Sequence, residues 1–174
     1  MAYRFEKLSI LVVEDTAPMR NLLVSALYKF GIGHIRTASD GEQAFQIFKK
    51  ESPDIILTDW AMSNVDGIEL TKLMRTHPES PNQMVPIILI SGYSAWSRVE
   101  IARDAGVTEF LAKPFTANDI ARRLIHVITK PRNFIETGSF FGPDRRRIKN
   151  SNFKGPFKRM KDKKATMQKE LGLI

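Results

Sequence analysis

The chain has 174 residues, of which 43% are hydrophobic and none is cysteine, and its formal net charge is +8. This length allows one domain of ordinary size plus an extension, the lack of cysteine excludes a disulfide framework and thiolate metal sites, and no apolar run approaches the roughly 20 residues of a membrane helix. Because the first residues also lack the apolar stretch of a signal peptide, we expect a cytoplasmic protein.

The positive charge is concentrated near the C-terminus. Residues 1–129 contain 14 Lys and Arg against 15 Asp and Glu, whereas residues 130–174 contain 13 against 4. Asymmetry of this size indicates two regions with different partners. The sequence therefore predicts a domain over residues 1–130 and a basic C-terminal extension over residues 131–174.

Short stretches rich in Ile and Val alternate with longer amphipathic stretches through the first 130 residues. They predict strands at 8–13, 33–37, 54–58, 86–91 and 107–111, and helices at 17–29, 40–50, 67–76, 95–105 and 116–129. Residues that typically begin helices stand at these starts: Thr16, Asp40, Asp66, Ser94 and Thr116. Five strands alternating with five helices indicate right-handed βαβ units, and hence an α/β fold with a doubly wound, flavodoxin-like parallel sheet.

Polar residues follow four of the five predicted strands. Glu14 and Asp15 come after the first, Asp59 after the third, Ser91 after the fourth and Lys113 after the fifth. We expect them to lie together, because the carboxyl ends of parallel strands share one edge of the sheet. Carboxylates crowded there repel one another unless a divalent cation joins them. Acids, a hydroxyl and an ammonium together suit phosphoryl transfer to a carboxylate.

Five fragments surround these strand ends: Leu11-Val12-Val13-Glu14-Asp15, Asp59-Trp60, Asp66-Gly67, Ser91-Gly92 and Lys113-Pro114-Phe115-Thr116. In this order and at these spacings, the set resembles the CheY-like response-regulator receiver domains of two-component signalling. The resemblance covers about residues 7 to 130. It implies that the five strands of the sheet lie in the order 2-1-3-4-5.

The resemblance also implies a role for each conspicuous residue. Asp59 would be the phosphoacceptor. Lys113, aimed by a cis bond to Pro114, would pair with Asp59 at rest and with the phosphoryl group afterwards. Ser91 would donate a hydrogen bond to a phosphoryl oxygen. Phe110 matches the switch aromatic of the family, although ordinary core packing is the alternative for a phenylalanine.

The same resemblance implies bound Mg²⁺, which prefers hard oxygen ligands. Asp15 would bind the ion directly, together with Asp59 and the backbone carbonyl of Ala61. Glu14 would contact it through water or from farther away. Many receiver domains carry a shorter aspartate at that position, so the glutamate changes the reach of the carboxylate more than its charge. Capping of the first long helix is a second role open to Asp15. Trp60, beside the phosphoacceptor, is expected to be half-exposed.

In function, the resemblance implies a response regulator of a phosphorelay. A histidine kinase or a histidine phosphotransfer protein would donate the phosphoryl group to Asp59. Phosphorylation would then reshape the surface of the fourth helix, fifth strand and fifth helix, which a partner protein or a second copy of the chain would read. Such a protein is not an enzyme in the usual sense, because its chemistry is limited to its own phosphorylation and dephosphorylation.

The extension gives fewer signals. Residues 131–156 lack a regular pattern, although Gly142-Pro143 and Gly155-Pro156 suggest a weak repeat. Apolar residues at helical spacing, including Met160, Met167 and Leu171, predict an amphipathic helix over 157–173. The extension could lengthen the domain, cover its output surface or recruit a partner.

Two other functions were weighed from the sequence. The basic extension would suit contacts to nucleic-acid phosphates in a transcriptional regulator, but it is too short and too polar to form a compact reader, so specific DNA binding is disfavoured. A phosphatase with an aspartyl nucleophile would need a second aspartate two residues after Asp59. Ala61 stands there instead.

Overall fold

The computed structural model describes residues 5–92, 96–144 and 163–165. Five strands and five helices alternate through the first part: β1 (Ser9–Val13), α1 (Ala17–Lys29), β2 (His34–Ala38), α2 (Gly41–Glu51), β3 (Ile55–Asp59), α3 (Gly67–Thr76), β4 (Ile87–Ser91), α4 (Trp96–Ala105), β5 (Glu109–Ala112) and α5 (Ala117–Thr129). The strands form one sheet in the order β2-β1-β3-β4-β5, and all its pairs are parallel. The predicted α/β, flavodoxin-like fold and its strand order are confirmed.

Helices cover both faces of this sheet, as the near-continuous apolar strands require. On β1, Ile10 and Val12 pack in one buried cluster with α1 and α5, whereas Leu11 and Val13 pack in the opposite cluster with α2 and α3. A third, smaller cluster lies under α4 and contains Trp60. Because both faces are buried, the polar ends of the strands are the part of the sheet left for chemistry.

Local capping explains where several helices begin. Asp66 and Glu69 form a reciprocal capping box at the start of α3, and Thr116 and Asp119 do the same for α5. Asp40 accepts a hydrogen bond from the amide of Gln43 at the start of α2. Thr16 occupies the N-cap position of α1 but makes no side-chain cap bond. The predicted start at Ser94 lies outside the described residues.

The extension contains regular structure that the sequence pattern did not predict. Strands β6 (Phe134–Thr137) and β7 (Phe140–Pro143) pair as an antiparallel hairpin, here called the C-terminal hairpin. Phe134 and Ile135 are both buried, so the strand lacks the alternation that identifies a half-buried strand. The folded part of the chain therefore continues beyond residue 130.

The predicted helix over 157–173 is wrong where it can be compared with the structure. Residues 163–165 form β8 (Lys163–Ala165), which pairs antiparallel with β6 on the side opposite β7. A free strand edge offers backbone hydrogen bonds, whereas a short isolated helix is only marginally stable in water. The remainder of the predicted helix lies outside the described residues. Among the described helices, none combines the length and the apolar character needed to cross a membrane.

Candidate functional site

Two acidic side chains lie buried at neighbouring strand ends. Glu14 directly follows β1, and Asp59 is the last residue of β3. The parallel register aligns Val13 with Thr58, so the next residue on each strand is one of these two acids. Only 2% of Glu14 and 5% of Asp59 are exposed to solvent. The sheet therefore holds two carboxylates side by side in a place where their charges are poorly solvated.

A single ammonium group reaches both carboxylates. Lys113 Nζ lies 2.6 Å from Asp59 Oδ1 and 3.6 Å from Glu14 Oε2. Its backbone amide donates to the carbonyl of Ser91 over 2.7 Å, which fixes the residue to the end of β4. The peptide bond between Lys113 and Pro114 is cis. Glu14, Asp59 and Lys113 together are called the acidic site below.

The charges of the acidic site do not balance. Burial raises the pKa of Glu14 above its ordinary value, the amide of Thr16 opposes that shift, and the negative charge of Asp59 adds to it. Burial alone would lower the pKa of Lys113, but the hydrogen bond and the charge of Asp59, with the charge of Glu14, leave it raised. When both carboxylates are ionised they share one firmly protonated ammonium, and one negative charge is in excess.

The loop after β3 holds Asp59 from the other side. The amide of Ala61 donates to Asp59 Oδ2 over 3.2 Å. Gly67, at the start of α3, donates to the carbonyl of Trp60 over 3.0 Å, and a Cβ atom on Gly67 would stand 2.2 Å from the carbonyl oxygen of Asp59. Glycine is therefore required at position 67 so that α3 can begin directly against the end of β3.

Two other residues of the predicted site, Asp15 and Ser91, lie at the same edge of the sheet. Asp15 is exposed, and its carboxylate accepts a hydrogen bond from the Thr16 hydroxyl over 3.2 Å. Ser91 is buried at the end of β4, one position beyond the residue aligned with Asp59. Within residues 5–92 and 96–144, no group of three acidic or histidine side chains is close enough to hold a metal ion.

The acidic site nevertheless has the donor chemistry of a Mg²⁺ site. Glu14 Oε2 is buried and accepts no hydrogen bond from the part of the chain that the structure describes. Buried oxygen acceptors are normally satisfied, and an excess negative charge on hard oxygen ligands favours a divalent cation such as Mg²⁺. Glu14 and Asp59 therefore offer donors that fit the ion, whereas Asp15 is exposed beside Thr16.

Near α4, the exposure of Trp60 differs from the expectation. Trp60 is only 7% exposed, not half-exposed, because it packs in the buried cluster under α4 and the Arg98 guanidinium lies 5.1 Å from its ring. Phe110 is partly buried against the same cluster. Phe110 also lines a cavity of about 380 Å³ between α4, β5 and α5, away from the acidic site.

Sequence reasoning did not single out Arg20. Its guanidinium donates to the backbone carbonyl of Glu14 over 2.7 Å and approaches that of Asp15 at 3.4 Å. Arg20 therefore connects the first turn of α1 to the loop that carries both acids. The only signal was an arginine one turn into the helix that follows an acidic strand end, which is too common to be informative.

Comparisons with known proteins agree with this architecture. Residues 10–125 match the family model of the response regulator receiver domain. The chain is 31% identical over 119 residues to the chemotaxis protein CheY-3 of Vibrio cholerae, covering 68% of this chain and 90% of that protein. It is 30% identical over 122 residues to a CheY homologue of Campylobacter jejuni, covering 70% of this chain and 92% of that protein.

Solved structures give the same result for the fold. The receiver domain of the Pseudomonas aeruginosa sensor histidine kinase PA1611, described with a magnesium ion in its active site cleft, aligns with a TM-score of 0.64 at 28% identity, covering 71% of this chain and 98% of that one. Vibrio cholerae CheY4 aligns with a TM-score of 0.64 at 25% identity, covering 69% and 98%. The family match ends at residue 125, before the C-terminal hairpin begins.

Proposed function

This chain belongs to the response regulator receiver family, and we propose that it is the switch of a phosphorelay with Asp59 as its phosphoacceptor. A histidine kinase or a histidine phosphotransfer protein supplies the phosphoryl group. The observation that carries the proposal is the 2.6 Å contact between Lys113 Nζ and Asp59 Oδ1, in a site that also buries Glu14. A structural ion pair would not need a second buried carboxylate beside it.

The residues of the site divide the transfer between them. A carboxylate oxygen of Asp59 forms the new bond to phosphorus while the bond from phosphorus to the donor histidine nitrogen breaks, and that nitrogen keeps the electron pair. Lys113 stays protonated and follows the negative charge from the Asp59 carboxylate to the phosphoryl oxygens. Ser91, at the end of the neighbouring strand, donates its hydroxyl hydrogen to one of those oxygens.

The magnesium ion belongs to the same proposal. Asp15, Asp59 and the Ala61 carbonyl would hold it, with Glu14 nearby or linked through water. When bound, Mg²⁺ neutralises the negative charge that gathers as the phosphoryl group approaches the carboxylates. Arg20, which holds the carbonyls of Glu14 and Asp15, keeps the loop that presents both acids in place.

The response to phosphorylation is read on the surface of α4, β5 and α5. Phosphorylation adds charge next to Ser91 and Lys113, which end β4 and follow β5. Phe110 lies on β5, where it packs against the buried cluster and lines the cavity of about 380 Å³. Movement of Phe110 would alter the surface that a partner protein or a second copy of the chain recognises.

Mass spectrometry after incubation with acetyl phosphate and Mg²⁺ tests the proposal. We expect the wild-type protein to gain the mass of one phosphoryl group and Asp59→Asn to gain none. Asp54→Asn is the matched control, because Asp54 immediately precedes the other end of β3 and accepts a hydrogen bond from the Ser9 amide. A wild-type protein of unchanged mass, or a labelled Asp59→Asn variant, would refute the proposal.

A further inference from the structure

The C-terminal hairpin, which lies beyond the residues that match the family, is attached to the domain by a buried arginine. Arg75, near the end of α3, is 1% exposed. Its Nε donates to the carbonyl of Gly106 over 3.0 Å, its Nη1 to that of Gln83 over 2.9 Å, and its guanidinium lies 5.1 Å from the ring of Phe134 in β6. One side chain therefore joins α3, the end of α4 and the hairpin.

A second arginine fixes the hairpin to the start of β5. Arg132, just before β6, donates to the carbonyl of Thr108 over 3.2 Å and also donates to the carbonyl of Asp144. The amide of Asp144 donates to the carbonyl of Asn133 over 2.7 Å and closes the base of the hairpin. Arg132 therefore connects this closed base to the residue that precedes β5.

The backbones also approach closely. A Cβ atom on Gly142 would stand 3.0 Å from the Cα atom of Gly106, and one on Gly106 would stand 3.4 Å from the carbonyl oxygen of Phe141. Gly106 has a φ of +99°, which favours glycine at the end of α4. The hairpin and the segment that connects α4 to β5 therefore pack against each other with little space between their backbones.

Burying the Arg75 guanidinium costs more free energy than an ordinary apolar packing contact would. The described residues give it no acidic partner, so its charge is satisfied by carbonyl oxygens and an aromatic face, and burial lowers its pKa to about 9. Buried charges are tolerated where they fix a particular arrangement. Here the arrangement is the position of Gly106 relative to α3 and the hairpin.

The segment that the hairpin holds belongs to the switch. The Thr108 amide donates to the carbonyl of Ile87 at the start of β4, and the Ile87 amide donates to the Thr108 hydroxyl oxygen, over 3.0 Å in each case. Ala105 and Val107 are buried in the cluster against which Phe110 packs. The hairpin thus contacts the chain on both sides of Val107, at Gly106 and Thr108, and Val107 is part of the cluster against which Phe110 packs.

We propose that the C-terminal hairpin acts as a brake on the receiver switch. It stabilises the resting arrangement, defined as the one with Lys113 against Asp59, by holding the end of α4 and the start of β5. This inference rests on the proposed function, because it assumes that Asp59 is phosphorylated. By linkage, loosening the hairpin favours the phosphorylated arrangement, and phosphorylation loosens the hairpin by the same factor.

Titration of the full chain with beryllofluoride and Mg²⁺, a mimic of the phosphorylated state, tests the brake. Phe134→Leu removes the ring that faces Arg75 while keeping an apolar side chain, and Arg132→Gln removes the guanidinium that holds Thr108. Glu136→Gln is the matched control, because Glu136 is an exposed position on the same strand, β6. Hydrogen exchange at the hairpin amides reports independently whether each substitution loosens the hairpin.

We expect Phe134→Leu and Arg132→Gln to speed hairpin exchange and to raise the affinity for beryllofluoride at least about fivefold, the lower end of usual coupling between sites. Glu136→Gln should change neither quantity. In the wild-type protein, saturating beryllofluoride should speed exchange at the hairpin amides. This reciprocal effect needs no substitution and so does not depend on how well a variant folds.

Three results would overturn the brake: a loosened hairpin with unchanged affinity, a loosened hairpin with weaker affinity, or two substitutions that both leave the hairpin amides as protected as before. Failure of the proposed function would look different. In that case the wild-type protein would not bind beryllofluoride, or Asp59→Asn would bind it equally well.

Discussion

Substitution of Lys113 by methionine tests the charge imbalance of the acidic site directly. Methionine keeps most of the length and apolar surface of the side chain but removes the ammonium, which lies 2.6 Å from Asp59 and 3.6 Å from Glu14. Two carboxylates with side chains 7% and 2% exposed are then left without their cation. We expect the metal-free variant to be substantially less stable than the wild-type protein at neutral pH.

The size of this loss of stability follows from the burial of Lys113, Asp59 and Glu14. Removing one partner from a buried ion pair costs about 3–5 kcal/mol. The Lys113 side chain is 26% exposed, so water can partly solvate the two carboxylates once the ammonium is removed. We therefore expect a cost at the lower end of this range, roughly 3 kcal/mol. For a chain of this size, such a loss lowers the melting temperature by about 6–12 °C.

The contribution of Glu14 to the stability of the folded protein depends on pH with a definite sign. The folded-state pKa of Glu14 lies above 4.5, so the folded protein holds that proton more tightly than the unfolded chain does. The stability contributed by Glu14 is therefore present at low pH and is lost as the pH rises through the raised pKa. Lys113→Met removes a cation that opposes this shift, so its stability deficit should shrink as the pH is lowered from neutral towards the raised pKa of Glu14.

Thermal melts with and without Mg²⁺ measure these effects. Magnesium at a hundred times its dissociation constant should restore about 2.7 kcal/mol. A double-mutant cycle with Glu14→Gln should show coupling of at least about 1 kcal/mol, since neutralising Glu14 leaves Lys113 with one carboxylate to balance. If Lys113→Met costs the same at every pH, with and without Mg²⁺ and in both backgrounds, then the reasoning from buried charge is wrong.

Three further substitutions test other features of the site in melting experiments. Glu14→Gln should raise the melting temperature of the metal-free protein at neutral pH and reduce its stabilisation by Mg²⁺; unchanged values would contradict the raised pKa of Glu14. Gly67→Ala should cost roughly 3 kcal/mol because the new Cβ would meet the carbonyl oxygen of Asp59, whereas Gly138→Ala, with open space around it, should cost less than about 1 kcal/mol. Asp66→Ala should cost about 1 kcal/mol through loss of the capping box of α3, and an unchanged melt would show that the cap contributes little.

The fold was predictable because its signals are local and repeated. β1, β3 and β4 are buried on both faces and so appear in the sequence as continuous apolar runs, which is what a parallel sheet covered by helices requires. Asp66 and Thr116 begin their helices with the capping boxes that their neighbours Glu69 and Asp119 complete. Only the strand order needed the family resemblance, because hydrophobic periodicity contains no information about which strands are neighbours.

The pairing of Lys113 with Asp59 was predicted through the family resemblance, but the approach of Lys113 to Glu14 was not. Strand ends place Glu14 and Asp59 together through the register of β1 and β3, and that much follows from the sequence. Whether a second carboxylate also approaches Lys113 depends on side-chain length and on the path of each loop. The longer Glu14 reaches back into the site, whereas Asp15 stays exposed beside Thr16.

Long-range contacts explain the features that sequence reasoning missed. Trp60 is buried because Arg98, 38 positions later in the chain, lies over its ring. The C-terminal hairpin contacts Arg75, which is separated from Phe134 along the chain by β4, α4, β5 and α5. Strands of four residues with no clear alternation gain most of their stability from such packing, so a local pattern could not reveal them.

The geometry of β5 connects the acidic site to the hairpin. This strand has four residues and pairs with β4 alone, as the edge of the sheet, and at a rise of about 3.3 Å per residue it spans roughly 13 Å. So short an extended segment cannot absorb a displacement within itself. A backbone shift of Lys113 would therefore be passed to the β4–β5 pairing or to Thr108 at the other end of the strand. Because Arg132 holds Thr108 in addition to its bonds with Ile87, a firmly attached hairpin would add to the resistance against that movement.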